Sequence, residues 1–283
     1  MEATLAIGGL GLRLTGGTAV DTAMRIRGMA LFANQQATAQ IHIDLDAPAA
    51  PVADVRWLHQ YSIIDGTSTA RFGLGSDGLY RYELAGATLT CHLDDDRYTL
   101  TGQADANVLR MALWTAYSMS GLRHGRLPVH ASTVVCHERA VLCLGESGAG
   151  KSTHTSLWLR HIDGSTLLND DCPILALGDG GGLIAYGSPW SGKTDCYRLD
   201  SYPVAALVRL EQRPANTIRR LGTLEAFAAL QPSCPPCLMK EEHLQDLLID
   251  YTGAAIGRAP LFRLGCRPDA EAALLAHNTI FAQ

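Results

Sequence analysis

Residues 140–153 read AVLCL and then GESGAGKST, a short apolar run followed directly by a glycine-rich segment. The second part fits the G-x4-G-K-[ST] phosphate-binding (P-loop, Walker A) pattern at every fixed position. The apolar run suits a buried strand, and the residues after Lys151 have the period of a helix. Glycines let backbone N–H groups curl around phosphate oxygens at a helix N-terminus. The predicted nucleotide-contacting residues are Gly145, Glu146, Ser147, Gly148, Ala149, Gly150, Lys151, Ser152 and Thr153.

A pair of carboxylates follows the next predicted strand, in the sequence LLNDD at residues 167–171. At this distance beyond a P-loop, one of Asp170 and Asp171 suits Mg²⁺ and the other suits a proton acceptor. The alternative is that one of them caps the next turn. His130 lies on a predicted strand beside the P-loop strand, where it suits a phosphate or metal contact, although a core or surface histidine is the competing interpretation.

A glycine-flanked loop at residues 187–193 places hydroxyl, indole and ammonium groups together, which suits a loop that closes over a polar substrate. A structural turn is the alternative. Arg209, within a predicted strand, is a candidate for stabilising transferred phosphoryl charge. The candidate substrate contacts are Ser188, Trp190, Ser191, Lys193 and Arg209.

Length and composition predict a two-unit globular protein. The 283 residues are 47% hydrophobic and 18% charged, with a formal net charge of −5. This charge gives no reason to expect nucleic acid as a partner, and no apolar run is long enough to span a membrane. The scattered cysteines suit reduced thiols in a cytoplasm. For Cys234 and Cys237 a structural role is favoured over a metal or redox role, because no second pair follows.

The order of predicted elements supports a boundary near residue 122. Residues 1 to about 100 read as strands, and the run Asp94-Asp95-Asp96 as a solvated turn between two of them. A helix follows at 105–120, ended by Gly121 and Gly125. Residues 128–135 are predicted to form one strand, and from there onward strands alternate with helices. A glycine-rich hairpin further along predicts a mixed rather than purely parallel sheet. We therefore predict a β-rich domain at 1–122 and a P-loop domain at 123–283.

Taken together, His130, the P-loop and Asn169-Asp170-Asp171 resemble the catalytic domain of HPr kinase/phosphorylase, a fold related to phosphoenolpyruvate carboxykinase. The resemblance covers roughly residues 128–270. It implies an α/β fold with a mixed sheet and a carboxykinase-like P-loop core, preceded here by a different N-terminal domain. It implies phosphate contacts from His130 and Lys151, Mg²⁺ ligands from Ser152 and Asp171, and a catalytic base at Asp170.

The chain departs from that family after Ser152, where a threonine stands in place of the usual acidic residue. The loop sequence GSPWSGK and the later VRLEQ look closer to HPr-kinase-related proteins, which include kinases of free serine and of lasso-peptide precursors. The predicted function is an ATP- and Mg²⁺-dependent kinase of a small-molecule, peptide or protein hydroxyl. An ATP-binding sensor or assembly protein and a carboxykinase-like enzyme are the alternatives, and a homo-oligomer is among the expectations because relatives form hexamers.

Overall fold

The protein is a mixed α/β protein with two mixed β-sheets. The computed structural model describes residues 1–49, 53–62, 69–240 and 242–282. Across this described part of the chain, no helix is both long and apolar enough to span a bilayer.

The chain divides into two compact units. The first unit comprises Met1–His124 and Pro236–Asp246, and the second comprises Gly125–Pro235 and Leu247–Gln283. The division near residue 124 lies close to the boundary predicted at 122. The prediction did not include the return of Pro236–Asp246 to the first unit, where Pro236–Met239 lies against the long helix of that unit.

The first unit is built on one sheet that has eight strands within the described residues. Its order is β1-β2-β3-β8-β7-β6-β5-β4, and the β2/β3 and β3/β8 pairs are parallel while the others are antiparallel. The elements are β1 (Glu2–Ile7), β2 (Leu10–Thr15), α1 (Gly17–Arg25), β3 (Ala39–Asp44), β4 (Val55–Ser62), β5 (Thr69–Gly75), β6 (Tyr80–Leu84), β7 (Ala87–His92), β8 (Arg97–Thr101) and α2 (Ala106–Arg123).

Three predictions for this unit are wrong, at α1, at Gly121 and at Asp96. Residues 17–25 form helix α1 instead of a strand, and α2 continues through the buried Gly121 to Arg123, just before Gly125, the other glycine predicted to end it. Asp96 is also not solvated, because it is only 9% exposed and accepts hydrogen bonds from Ser120 Oγ (2.6 Å) and His124 Nε2 (2.9 Å). Asp94 and Asp95 do lie in a turn between β7 and β8.

The second unit carries the glycine-rich segment. Its elements are β9 (Arg126–Pro128), β10 (Ala131–Cys136), β11 (Arg139–Leu144), α3 (Lys151–His161), β12 (Thr166–Asn169), β13 (Ile174–Leu177), β14 (Leu183–Tyr186), β15 (Ser201–Gln212), β16 (Thr217–Arg220), α4 (Thr223–Leu230), α5 (Glu242–Arg258, which belongs to this unit from Leu247 onward), β17 (Leu261–Cys266) and α6 (Ala270–Phe281). Residue 241, where a helix was predicted to begin, lies outside the described residues.

The sheet of this unit is mixed, as predicted. Its strands run in the order β12-β10-β11-β15-β14-β13-β9, with β17 beside β15 and β16 beside β17. The β11/β15 and β15/β17 pairs are parallel, whereas the β10/β11 and β13/β14 pairs are antiparallel. Strand β15 pairs with β14 through its first residues and with β11 and β17 through its later ones, so it joins the two parts of the sheet.

Helices α3 and α6 cover one face of this sheet, because both contribute apolar side chains to a single core. Trp158 of α3 is fully buried there and stacks edge-on to His277 and Phe281 of α6. Burial of a side chain this large contributes several kcal/mol of hydrophobic stabilisation. This packing fixes α3, and with it the loop that precedes it, on the sheet.

The strand predicted at 128–135 is interrupted. Strand β9 ends at Pro128, and β10 begins at Ala131 after a bend at His130. The break has a topological cause: β9 pairs with β13, whereas β10 pairs with β11 and β12. His130 therefore lies at the crossing between the two parts of the sheet, outside any strand.

Candidate functional site

A loop of residues 145–150 joins the end of β11 to the start of α3, and glycine is required at three of its positions. A Cβ atom at Gly145 would lie 2.7 Å from Ala149 Cβ, closer than real Cβ contacts. Gly148 and Gly150 have φ angles of +82° and +100°, in the left-handed region that other residues rarely adopt. The glycine spacing noted in the sequence therefore has a conformational cause.

Lys151 begins helix α3 and lies inside this loop. It is 8% exposed, and its Nζ donates to Gly145 O (2.9 Å) and Glu146 O (3.2 Å). Burial lowers the pKa of Lys151, and the neighbouring carboxylates of Asp171 and Asp170 act in the opposite direction. The ammonium group therefore lies within electrostatic range of both acids.

The outer side of the loop is open to solvent. Glu146, Ser147, Ser152 and Thr153 are all exposed. Gly150, at the capping position of α3, has no side chain with which to accept the first N–H groups of the helix. These N–H groups and the positive end of the helix dipole favour an anion at this end of α3.

Asn169 shapes the turn that carries the acid pair. Its fully buried Oδ1 accepts hydrogen bonds from Asp171 N (2.9 Å) and Cys172 N (2.7 Å), which turns the chain at the end of β12. Consecutive residues on a strand would point to opposite faces of the sheet. Because the strand ends at Asn169, the side chains of Asp170 and Asp171 are not forced onto opposite faces. Asp170 is 4% exposed, whereas the side chain of Asp171 is 42% exposed.

A chain of hydroxyl groups links Asp170 to helix α3. Ser132 Oγ donates to Asp170 Oδ1 (3.3 Å) and is 2.9 Å from Thr155 Oγ1. Thr155, one turn beyond Lys151, bonds to the carbonyl oxygen of that lysine at 3.3 Å. The other carboxylate oxygen of Asp170 accepts from Thr194 N (3.0 Å). The structure thus brings the acid pair to the same place as the glycine-rich loop.

His130 contacts Asp171 and lies within electrostatic range of Lys151. Its Nε2 is 3.5 Å from Asp171 Oδ1. Burial and the positive charge of Lys151 lower the pKa of His130, and this outweighs the opposing effect of Asp171. The imidazole is therefore neutral at pH 7, and its contact with Asp171 is not an ion pair.

Arg209 adds a further cation beside the loop. It is paired with Leu144 across the parallel β11/β15 register, so it lies where β11 passes into the loop. Its Nη2 is 3.4 Å from Glu146 Oε1, while its buried Nη1 has no hydrogen-bond acceptor within the described chain. Gln212, further along β15, donates from Nε2 to Gly148 O at 3.0 Å.

The loop predicted to cover the substrate is anchored through Asn169. Asn169 Nδ2 lies 3.3 Å from Ser188 Oγ and 3.4 Å from Trp190 O, and Ser188 Oγ donates to Cys172 O. Ser188 is fully buried and Trp190 is 2% exposed. These two predicted substrate contacts are thus placed in the interior of the loop, where they hold its shape.

The far end of the same loop lies against the acid pair. A Cβ atom on Gly192 would be 3.1 Å from Asp171 Cβ and 3.3 Å from Asp170 Oδ2. Ser191 Oγ donates to Thr194 O at 2.6 Å, and Lys193 is exposed. Of the predicted contacts from this loop, Lys193 is the one whose side chain is accessible from solvent.

A cavity of about 540 Å³ adjoins the glycine-rich loop of residues 145–150. Its walls come from the loop and α3, including Gly148 and Leu157, and from the segments around Arg213 and Arg267. This volume is in the range of small-molecule sites. His154 also lines it, with a pKa that burial lowers to about 4.

Several residues of the site were not predicted from the sequence. Ser132, Thr155 and Thr194 position Asp170, and Asn169 orders both the acid pair and the adjoining loop. Thr155 has a detectable signal, because residues four apart lie on the same face of a helix and Lys151 is four residues before it. Asn169 could have been found because it is a short polar residue at the end of a predicted strand. Such side chains commonly form a hydrogen bond to the backbone two residues further along the chain.

Cys234 and Cys237, which are three residues apart in the sequence, are not reactive thiols in this structure. Cys234 and Cys237 are each buried, and burial raises the pKa of each thiol to about 12. Both thiols are therefore protonated at neutral pH, whereas redox exchange needs the thiolate. The structural role favoured from the sequence stays a prediction.

No family model matches this chain, and no curated protein matches it. Among solved structures it is similar to the Hpr(Ser) kinase/phosphatase from Coxiella burnetii, at 18% sequence identity and a TM-score of 0.31. The match covers 53% of this chain and 86% of that chain. A likeness at this level says nothing about substrate or activity. The resemblance found in the motifs and the closer grouping with kinases of other substrates stay predictions.

Proposed function

We propose that this protein is an ATP-dependent kinase that transfers the γ-phosphoryl group to an alcohol oxygen. One observation carries the proposal: Lys151 and the glycine-rich loop lie near two carboxylates, Asp170, which hydrogen bonds through Ser132 and Thr155 join to α3, and Asp171, which contacts His130. Phosphoryl transfer depends chiefly on positioning and charge neutralisation, and this arrangement supplies both.

The glycine-rich loop suits the phosphates of the nucleotide. Exposed N–H groups at the start of α3, the Lys151 ammonium group and the Arg209 guanidinium group each favour a polyanion. Lys151 Nζ donates hydrogen bonds to Gly145 O and Glu146 O. When a nucleotide binds, the ammonium group would exchange these carbonyl acceptors for phosphate oxygens. The adjoining cavity of about 540 Å³ would take the nucleoside.

The donor set beside the loop fits a magnesium ion. Asp171 and Ser152 supply the oxygen ligands that Mg²⁺ prefers, and the Asp171 carboxylate is accessible. When bound, Mg²⁺ would neutralise charge on the phosphates. His130, neutral at pH 7, adds no competing positive charge and can donate a hydrogen bond to a phosphate oxygen.

Asp170 is the candidate base for the acceptor hydroxyl. Each of its oxygens accepts one hydrogen bond, from Ser132 and from Thr194, and each keeps capacity for a further one. The acceptor oxygen would bond to the γ-phosphorus as its proton passes to Asp170, and the bond to the β-phosphate oxygen would break to release ADP. The loop ending at Gly192 and Lys193 would cover the acceptor.

The test is transfer of labelled phosphate from ATP to a panel of acceptors: free hydroxyl amino acids, serine-containing peptides and proteins of a cell extract. We expect Asp170→Asn to lower turnover about 10²- to 10⁴-fold while nucleotide affinity is kept. Lys151→Met should weaken nucleotide binding itself. Asp179→Asn, in the exposed hairpin turn of this unit, is the matched control.

Three results would overturn the proposal. Absence of ATP binding to the purified protein would remove the nucleotide site altogether. ATP binding without transfer to any acceptor would instead support the nucleotide-dependent sensor, and decarboxylation of oxaloacetate in a coupled assay would support the carboxykinase-like alternative.

A further inference from the structure

A second cluster of chemically active side chains lies away from the glycine-rich loop. Cys136 and His137 stand at the turn between β10 and β11, and His277 is in the last turns of α6. One ligand atom from each residue, the thiol sulfur and a ring nitrogen from each histidine, lies within 4.8 Å of the others. We propose that these three side chains bind a transition-metal ion, with Zn²⁺ the favoured ion.

The spacing of the two imidazoles fits tetrahedral coordination. His137 Nε2 and His277 Nε2 are 3.4 Å apart. Zinc–nitrogen bonds of about 2.0–2.1 Å at a tetrahedral angle place two such nitrogens about 3.3–3.4 Å apart. With a zinc–sulfur bond of about 2.3 Å, the thiolate would lie about 3.6 Å from each nitrogen. A small movement of Cys136 Sγ, already within 4.8 Å, completes this geometry.

A hydrogen bond fixes the tautomer of His277. Its Nδ1 is 3.1 Å from Asn278 Oδ1, and an amide oxygen can only accept, so Nδ1 carries the proton. The Nε2 of His277 therefore presents a lone pair toward His137 Nε2. Histidines that bind metals are typically held in this way, by a hydrogen bond from the ring nitrogen that does not face the ion.

The cluster is packed against the core on one side and open to solvent on the other. Cys136 is 1% exposed in the core of the second unit, and Phe281 packs against both histidine rings at centroid distances of 5.3 Å. His137 is exposed. Three protein ligands with one accessible side leave a fourth position for water or another ligand.

The turn itself has an unusual sequence for its conformation. Cys136 and Arg139 are paired in the β10/β11 hairpin, so His137 and Glu138 form a two-residue turn with φ angles of +49° and +56°. Such turns strongly favour Asn-Gly or similar pairs. Non-glycine residues held in this conformation concentrate at functional sites.

Imidazole and thiolate ligands together select zinc or copper over magnesium or calcium.

A bound ion would tie the β10–β11 turn to α6. Ligand binding to the folded chain alone raises apparent stability, so zinc should raise the melting temperature. Because the thiol and both imidazoles must be unprotonated toward the ion, binding should also release protons and weaken as the pH falls. Neither effect depends on kinase activity.

The experiment uses the full chain, freed of metal by a chelator and titrated with Co²⁺ as a spectroscopic probe. We expect saturation at one equivalent, a thiolate-to-cobalt charge-transfer band, and its loss when Zn²⁺ displaces Co²⁺. Cys136→Ser should abolish the band, and Asn278→Ala should lower affinity about 10- to 100-fold. Cys266→Ser and His161→Asn, a partly exposed thiol and an exposed imidazole outside the cluster, should leave the charge-transfer band and the Co²⁺ affinity unchanged.

His137→Asn separates binding from folding, because residue 137 is exposed on the turn. This variant should keep the wild-type circular dichroism spectrum, lose tight Co²⁺ binding and lose the zinc-dependent rise in melting temperature. Absence of saturable Co²⁺ and Zn²⁺ binding by the wild-type protein would overturn the proposal. So would an unchanged charge-transfer band in Cys136→Ser or unchanged affinity in His137→Asn.

Discussion

Stability of this protein should fall with decreasing pH because of one buried histidine in α3. His154 is 3% exposed, and Trp158 Nε1 donates a hydrogen bond to its Nε2 at 3.1 Å. The ring is therefore neutral and carries its proton on Nδ1. Burial lowers the pKa of His154 from 6.5 to about 4, because the surroundings disfavour the charged ring.

The direction of the stability change depends on whether the folded or the unfolded chain binds a proton at the higher pH. In the unfolded chain His154 titrates near 6.5, so between pH 6.5 and about 4 the unfolded state binds a proton that the folded state does not. The free energy of unfolding therefore decreases across this window as the pH falls. At about 1.4 kcal/mol per pKa unit, the loss from this group is about 2 kcal/mol between pH 7 and pH 5.

The assay is urea unfolding followed by circular dichroism at both pH values. His154→Gln keeps a side-chain oxygen that can accept from Trp158 but cannot titrate, so it should lose about 2 kcal/mol less than wild type on acidification. His161→Gln, exposed at the end of the same helix, should behave as wild type. An equal loss in wild type and His154→Gln would refute the reasoning, because the pH dependence would then arise from other groups.

Three further substitutions test the packing and the site. Trp158→Ala should lower the free energy of unfolding by about 3–5 kcal/mol in urea denaturation, and a loss below 1 kcal/mol would contradict its place in the core. Asp96→Ala should cost about 3 kcal/mol by the same measure, because its buried hydrogen-bond donors lose their acceptor, whereas the exposed Asp95→Ala should cost less than about 1 kcal/mol. Under the proposed function, Gly145→Ala should lower turnover about 10²-fold by pushing against Ala149, with little change in melting temperature; wild-type turnover would show that the loop tolerates the added Cβ.

The glycine-rich loop and its flanks could be predicted from the sequence because their determinants are local. The apolar run of β11, the glycines at 145, 148 and 150, and the period of α3 all act within one short segment. The acid pair could be predicted for the same reason, since Asn169 turns the chain through hydrogen bonds to the next residues. Its convergence with the loop is tertiary, and it was expected from the spacing beyond the P-loop and from the resemblance, not from any local pattern.

One missed feature reflects local propensity, and the others depend on contacts between distant residues. Helix α1 contains Gly17, Thr18, Val20 and Thr22, which have low helix propensity, so its sequence favoured a strand. Strand β15 changes partners along its length, which no periodic pattern reveals. Ser132 is likewise an ordinary strand serine in the sequence, and it becomes part of the site only because Thr155 and Asp170 approach it.

The return of Pro236–Asp246 to the first unit has a consequence during protein synthesis. Buried Leu238 and Leu244 come from this segment, yet about 110 residues separate it from the end of Met1–His124. At a translation rate of about 5–20 residues per second, the nascent first unit waits roughly 5–20 s for its last segment. We expect its unfinished apolar surface to be a substrate for ribosome-associated chaperones during that interval, and a fragment truncated at His124 to remain in that state.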